Sequence, residues 1–329
     1  MADGRGVRMP AEWAPHERTL IAWPCRTELW GPMLDEARRD HAAIASAIAA
    51  FEPVTMVANP GAQAADARAR CAGAVEVLEL AIDDSWLRDS GPIFVHSDDG
   101  RRIGVHFDFN AWGETFAPYA ADVAAGAALA ARYGDGVAEV AMVLEGGSIA
   151  VDGEGTLLTT EECLLHPSRN PSMTREQIEA ELRARLGVER IVWLAKGLSE
   201  DRDTDGHVDL VAAFTEAGEV LLQMAPDGED RERMQENRDR LEAAELVVRT
   251  LDVLPHVEVA GERVVHSHMN FYVCNGAVIV PLAGLASDDE ALATIAAAYP
   301  GREAVGVPGA VLAYGGGGPH CVTQQVPVV

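Results

Sequence analysis

The chain has 329 residues, 48% of them hydrophobic, which is material for one large or two medium cores. No apolar run approaches the roughly 18 residues that a membrane span needs. Its net charge of −26 excludes the basic footprint of nucleic-acid binding and suits the steering of a cationic ligand.

Taken in order, residues 1–30 mix charge, proline and tryptophan and contain no apolar core of a signal peptide. Leu20–Trp23 reads as a strand, Met33–Ala50 as an amphipathic helix with Ile44, Ile48 and Phe51 on one face, and Val54–Val57 as a strand. Ala62–Leu80 adds a further helix and strand. A unit of strand, turn, strand, helix and strand then recurs. Its first copy is Ile93–Val95, Arg102–Phe107, a helix near Ala120–Arg132 and Val137–Val143. Its second is Ser148–Val151, the turn Asp152-Gly153, Leu157–Thr160, helix Thr174–Leu186 and Arg190–Trp193. The third comprises Val208–Phe214, the turn Ala217-Gly218, Val220–Met224, helix Arg231–Ala244 and Leu246–Thr250. Asn270–Val273, the hairpin signal Asn275-Gly276, Ala277–Pro281, helix Ser287–Tyr299 and Glu303–Val307 form the fourth. A strand starting at Cys321 pairs with Leu20–Trp23 and completes a fifth copy from the two chain ends. Joining first and last elements closes a ring and leaves no exposed end module. One domain over 1–329 with a single axial site is expected.

Asp89, Glu145, His207, Asn270 and Cys321 each fall at, or just before, the first strand of one copy, spaced by 56, 62, 63 and 51 residues. Equivalent positions of a ring converge on its axis. Cys321 follows four glycines, Gly315–Gly318, a run retained where close approach or positive φ is needed. The five cysteines are odd in number and contain no Cys-x-x-Cys pair, which fits a reduced, cytoplasmic protein. The only lysine, Lys196, has no site-like neighbours for Schiff-base chemistry.

A thiol beside a histidine points to a cysteine nucleophile with a His acid/base. His207 and Asp209, two apart on an expected strand, share a face. Asp89, Asp209 and Glu145 would oppose a thiolate, which makes no sense for a neutral ester but matches a planar, always-charged guanidinium. Trp86 offers an aromatic wall, and Asp203 a partner for a second, ammonium end. Arg88 is expected in a structural salt bridge. His266 and His268 have the spacing of metal ligands, but too few partners for zinc.

Trp86-Leu87-Arg88-Asp89-Ser90-Gly91-Pro92, Glu145-Gly146-Gly147, Asp205-Gly206-His207-Val208-Asp209, Asn270-Phe271-Tyr272-Val273 and Gly315–Gln325, in this order, closely resemble the agmatine deiminase family of guanidino-group-modifying enzymes. The resemblance runs from Met9-Pro10-Ala11-Glu12-Trp13 to the last glutamines. It implies an α/β fold, a five-bladed pseudo-symmetric α/β propeller, with no metal or organic cofactor. It also implies agmatine hydrolysis to N-carbamoylputrescine and ammonia in putrescine synthesis. Carried over motif by motif, Cys321 is the nucleophile, His207 the general acid/base and Glu145 its positioning partner. Asp89 and Asp209 bind the guanidinium, Trp86 lines the pocket and Asn270 matches an active-site asparagine. Beyond that carry-over, Asp203, from the charge argument, and Gly318 are expected substrate contacts. Two departures stand out: Pro319 replaces a bulkier aliphatic residue, and Asp205 stands where relatives carry Asn, which should raise His207's pKa. Deimination of free or peptidyl arginine, amidino transfer and a silent guanidine-binding propeller remain alternatives. The expected partner is a small cationic guanidine, not nucleic acid or membrane, and homo-oligomerisation stays open.

Overall fold

Among the described residues five mixed sheets organise the chain, and in four of them a strand hairpins back before a helix leads to a parallel third strand. The computed structural model describes residues 6–329 apart from Ala72, Ala74 and Arg202. The extreme start of the expected 1–329 domain and part of the Ala62–Leu80 segment therefore lie outside the described residues.

Ile93–Ser97 pairs antiparallel with Arg102–Asp108, which runs parallel to Gly136–Val143. The same order recurs in Ile149–Val151, Thr156–Thr160 and Arg190–Leu194, and in Ala212–Glu216, Glu219–Gln223 and Val247–Leu251. Tyr272–Cys274, Ala277–Leu282 and Glu303–Pro308 give it once more. The fifth sheet joins the chain ends: Thr323–Pro327 lies antiparallel to His16–Ala22, with Thr323 opposite Ile21. Val54–Ala58 and Val75–Glu79 extend that sheet in parallel. The α/β class and the split fifth unit are thus as expected from the sequence.

Local signals account for the elements. In helix Arg175–Leu186, Thr174 and Gln177 form a capping box, and Gly187 ends it at φ +68°. Ile178, Leu182 and Leu186, four apart, are its buried face. The Asn275-Gly276 turn tightly links Cys274 to Ala277, with Gly276 at φ +77°. Helix Leu34–Ala49 buries Ile44 and Ile48, while Phe51 lies past its end, packed on the same core.

The differences cluster where strands begin. Val208–Leu210 is a 3₁₀ turn and the strand starts at Ala212. The strands expected from Ser148, Asn270 and Cys321 start at Ile149, Tyr272 and Thr323. Asp205 at φ +60° and Gly206 at φ +91° curl the chain ahead of His207, so alternation past that point is not strand alternation. The hairpin of His256–Val259 with Glu262–Val265 and the two-residue strand Val7–Arg8 had no counterpart in the repeat. No helix among the described residues is long and apolar enough to cross a membrane.

Candidate active site

The short turns that precede the first strand of each sheet carry the five spaced residues. Asp89 lies in Leu87–Ser90, Glu145 just before Gly146–Ser148, and His207 just before Val208–Leu210. Asn270 stands two residues before Tyr272, and Cys321 is in the turn Pro319–Val322. All five are buried.

Gly147 marks where they meet. A Cβ there would lie 2.6 Å from His207 Nδ1, 2.8 Å from Asp209 Oδ2 and 2.9 Å from Asp89 Oδ1, so only glycine fits. Cys321 Sγ donates to Asp209 Oδ2 at 3.3 Å and accepts from Asn270 Nδ2 at 3.2 Å. Asn270 Oδ1 also receives the Cys321 backbone N–H at 3.2 Å, which orients the Cys321 turn. His207 and Asp209 do face one pocket, but through the 3₁₀ turn rather than a shared strand face.

The glycine run works mainly through close approach. A Cβ at Gly317 would press on Trp86 at 2.7 Å and on Cys321 Sγ at 2.9 Å, and one at Gly318 on Asn270 Oδ1 at 2.8 Å. Of the four, Gly316 alone takes a positive φ, +101°.

Electrostatics follow from three carboxylates sharing a dry space. Burial raises Asp89 to about 6; His207 opposes that shift, and Asp209 and Glu145 add to it. Asp89 is oriented by the Gly147 N–H at 2.9 Å and by Trp112 Nε1 at 3.0 Å. Burial, then Asp209 and Asp89, push the Cys321 thiol well above its ordinary value. A cation between the carboxylates is what would bring both down. Burial works against a charged His207, yet Asp89, Asp209, Glu145 and Asp201 outweigh it and raise its pKa. Among the described residues neither ring nitrogen of His207 has a hydrogen-bond partner, and Asp89 Oδ2 is 3.8 Å from Nδ1.

Glu145 is held by Arg169, whose Nε donates to Oε1 at 2.5 Å, while Oε2 is buried and has no partner among the described residues. Arg169 also donates to Asp205 Oδ2 at 2.7 Å and to the Thr204 carbonyl at 2.9 Å. Asp205's charge is therefore spent on Arg169, and Asp201 is the loop carboxylate that ranks among the influences raising His207. That corrects the sequence expectation for Asp205. Asp201 itself builds the loop, accepting from the backbone N–H groups of Thr204, Gly206 and His207.

Trp86 stacks on Trp30 with ring centroids 5.7 Å apart, and its other edge lines a small chamber with Trp112, Phe116, Asp89, Asp203 and Cys321. Wall and core roles coincide in this residue. Asp203, half-buried, borders both that chamber and an outer cleft of about 490 Å³. Arg88 is structural, but not through a salt bridge: it donates to the His320 carbonyl at 3.2 Å and to Gln325 Oε1 at 2.7 Å, and lies over the Tyr272 ring. Pro319 opens the Cys321 turn at its first position, where a missing N–H is harmless.

His268 is committed to Asp288 at 2.8 Å and His266 to the Pro281 carbonyl at 3.2 Å. Among the described residues, Glu145, Cys163 and His207 have ligand-type atoms within 4.8 Å of one another. The Arg169 guanidinium on Glu145 opposes a cation there, and three loosely grouped groups fall short of a zinc shell. Sequence reasoning missed Trp112, Phe116 and Arg169. Trp112 had a signal in hindsight, a tryptophan set against Gly113 in a loop segment, where it adopts φ +54°.

An α/β fold that sets the buried Cys321 thiol against Asp209, with Asp89 and His207 crowding the same glycine, defines a cysteine-centred site for a cation. Residues 8–327 match the model of the Porphyromonas-type peptidyl-arginine deiminase family. The chain is 41% identical to the agmatine deiminase of Stutzerimonas stutzeri, covering 98% of this chain and 96% of that protein. It is 40% identical to a putative agmatine deiminase of Legionella pneumophila, with 98% and 95% covered. In structure it is similar to the agmatine deiminase of Enterococcus faecalis, described as catalysing its reaction, with a TM-score of 0.91, 33% identity and 98% and 96% of the two chains covered. The chain belongs to the Porphyromonas-type peptidyl-arginine deiminase family.

Proposed function

We propose that this enzyme hydrolyses agmatine to N-carbamoylputrescine and ammonia, in one domain built as a five-bladed α/β propeller. The carrying observation is the meeting of Cys321 Sγ with Asp209 at 3.3 Å inside a pocket where Asp89, Asp209 and His207 crowd the same glycine. A guanidinium bound by Asp89 and Asp209 lowers the thiol's pKa by its own charge. Cys321 gives up its thiol proton to solvent as the cation binds. The thiolate attacks the guanidinium carbon, and protonated His207, aligned by Glu145, gives its proton to the departing nitrogen, which leaves as ammonia. The thiouronium that remains is attacked by water, with neutral His207 taking the water's proton. Collapse breaks the C–S bond and passes the hydroxyl proton of the adduct to solvent, releasing the ureido product and the thiolate. Asn270 and Gly318 shape the turn that presents Cys321, while Trp86 walls the alkyl chain.

Selectivity for agmatine rests on Asp203, which meets the substrate's far ammonium, because arginine would bring a carboxylate to a mouth already holding Asp201 and Asp203. The five free cysteines suit a cytoplasmic setting. A panel of agmatine, arginine, a blocked arginine peptide and guanidinobutyrate, scored for ureido product and ammonia, tests this reading. Agmatine should give the highest kcat/KM, with Asp203→Asn narrowing its lead. Arginine at or above agmatine makes the chain an arginine-type deiminase, and ureido product without ammonia marks a transferase.

A further inference from the structure

Asp209 is tied from behind as well as facing the pocket. Its Oδ2 lies 2.8 Å from His320 Nδ1, and the other nitrogen of that ring, Nε2, lies 2.8 Å from Glu12 Oε2. Both partners are carboxylates, which only accept. A neutral imidazole has one donor and one lone pair, so it satisfies one contact and repels the other; an imidazolium satisfies both. Glu12 is a fixed anion, since its Oε1 accepts the Val273 N–H at 2.7 Å. A small cavity lined by Glu12, Arg88, Asp209, His320 and Gln325 backs this arrangement, so packing alone does not hold the Asp209 carboxylate.

We propose that His320 is a positioning residue: as an imidazolium bridging Glu12 and Asp209, it fixes Asp209 so that Oδ1, buried and without a partner among the described residues, is presented to the guanidinium. The inference rests on Asp209 being a guanidinium ligand. Besides Glu12 and Asp209, the charged or titratable groups around the ring are Arg88, which donates to the His320 carbonyl, and Cys321, which follows it in the chain. Burial and Arg88 oppose the imidazolium, but the two carboxylates prevail and raise His320 above its ordinary value. Against the effect of burial, His320 in turn holds Glu12 down at about 2.

Two variants test the bridge. Glu12→Gln keeps the shape and one acceptor but removes one of the two charges. It should lower the His320 midpoint, followed by NMR of labelled histidine with His320→Gln as the assignment control, by about one pH unit. The alkaline limb of kcat/KM for agmatine should move down with it. His320→Gln reaches only one carboxylate, and KM should rise about tenfold with kcat changed far less, as expected for a lost charge-assisted bond. An unchanged midpoint and superimposable pH profiles in Glu12→Gln overturn the proposal, as does a loss confined to kcat. If no guanidine is turned over by the wild type, the substrate reading fails. The midpoint then decides the bridge: dependence on Glu12 supports it, and independence overturns it.

Discussion

His207 and His320 are both pushed above the ordinary imidazole pKa by carboxylates on more than one side, yet their bonds differ completely. His320 has a carboxylate oxygen 2.8 Å from each ring nitrogen. His207 is fully buried and has no hydrogen bond at either nitrogen among the described residues. A proton locked between two acceptors stays where it is, whereas one held only by the field of Asp89, Asp209 and Glu145 can be handed to a substrate. In the proposed mechanism the same charge pattern serves a brace in one region and an acid/base in the other, and hydrogen bonding is what separates the two.

The comparison fails altogether without the nucleophile. Cys321→Ala should reduce turnover below detection while agmatine still binds in calorimetry, because the carboxylates are separate from the thiol. A covalent adduct recovered on another cysteine would refute the assignment.

His207→Gln should lower kcat by roughly 10²–10⁴-fold, the usual contribution of a general acid or base. If its loss were no larger than that of His320→Gln, the division between proton carrier and brace would collapse.

Replacing Asp89 or Asp209 with Asn should cost on the order of 3–5 kcal/mol in kcat/KM, as for breaking a buried ion pair. Losses of tenfold or less in both would mean that the guanidinium binds elsewhere.

The smallest effect falls on Trp112→Phe, which keeps a ring but removes the donor to Asp89 Oδ2. Asp89, at about 6 in the free enzyme, must ionise to bind a cation, so kcat/KM should fall as pH drops through that value. Losing a hydrogen bond to the charged form raises the carboxyl pKa, so the acid limb should move to higher pH, with a loss of about tenfold at the old midpoint. An unshifted limb would show that another group sets it.

Much of this architecture was legible from local pattern. The spacing of Asp89, Glu145, His207, Asn270 and Cys321 announced a repeat, and the strand–turn–strand–helix–strand order placed one of them ahead of each sheet. Local signals failed at strand starts, because Val208–Leu210 has strand-like composition while the left-handed backbone at Asp205 and Gly206 bends it into a turn.

By itself, the sequence determined the α/β repeat, the joining of the two ends and which spaced polar residues stand ahead of the strands, since all of these rest on periodicity and residue type. Only the tertiary structure decided how charge is shared. Glu12 meets His320 across 308 positions, and Arg169, not His207, takes up the charge of Asp205. Those pairings depend on distances between side chains that no local pattern encodes, and in a buried site a shift of a few ångströms decides which carboxylate is bonded and which faces the pocket.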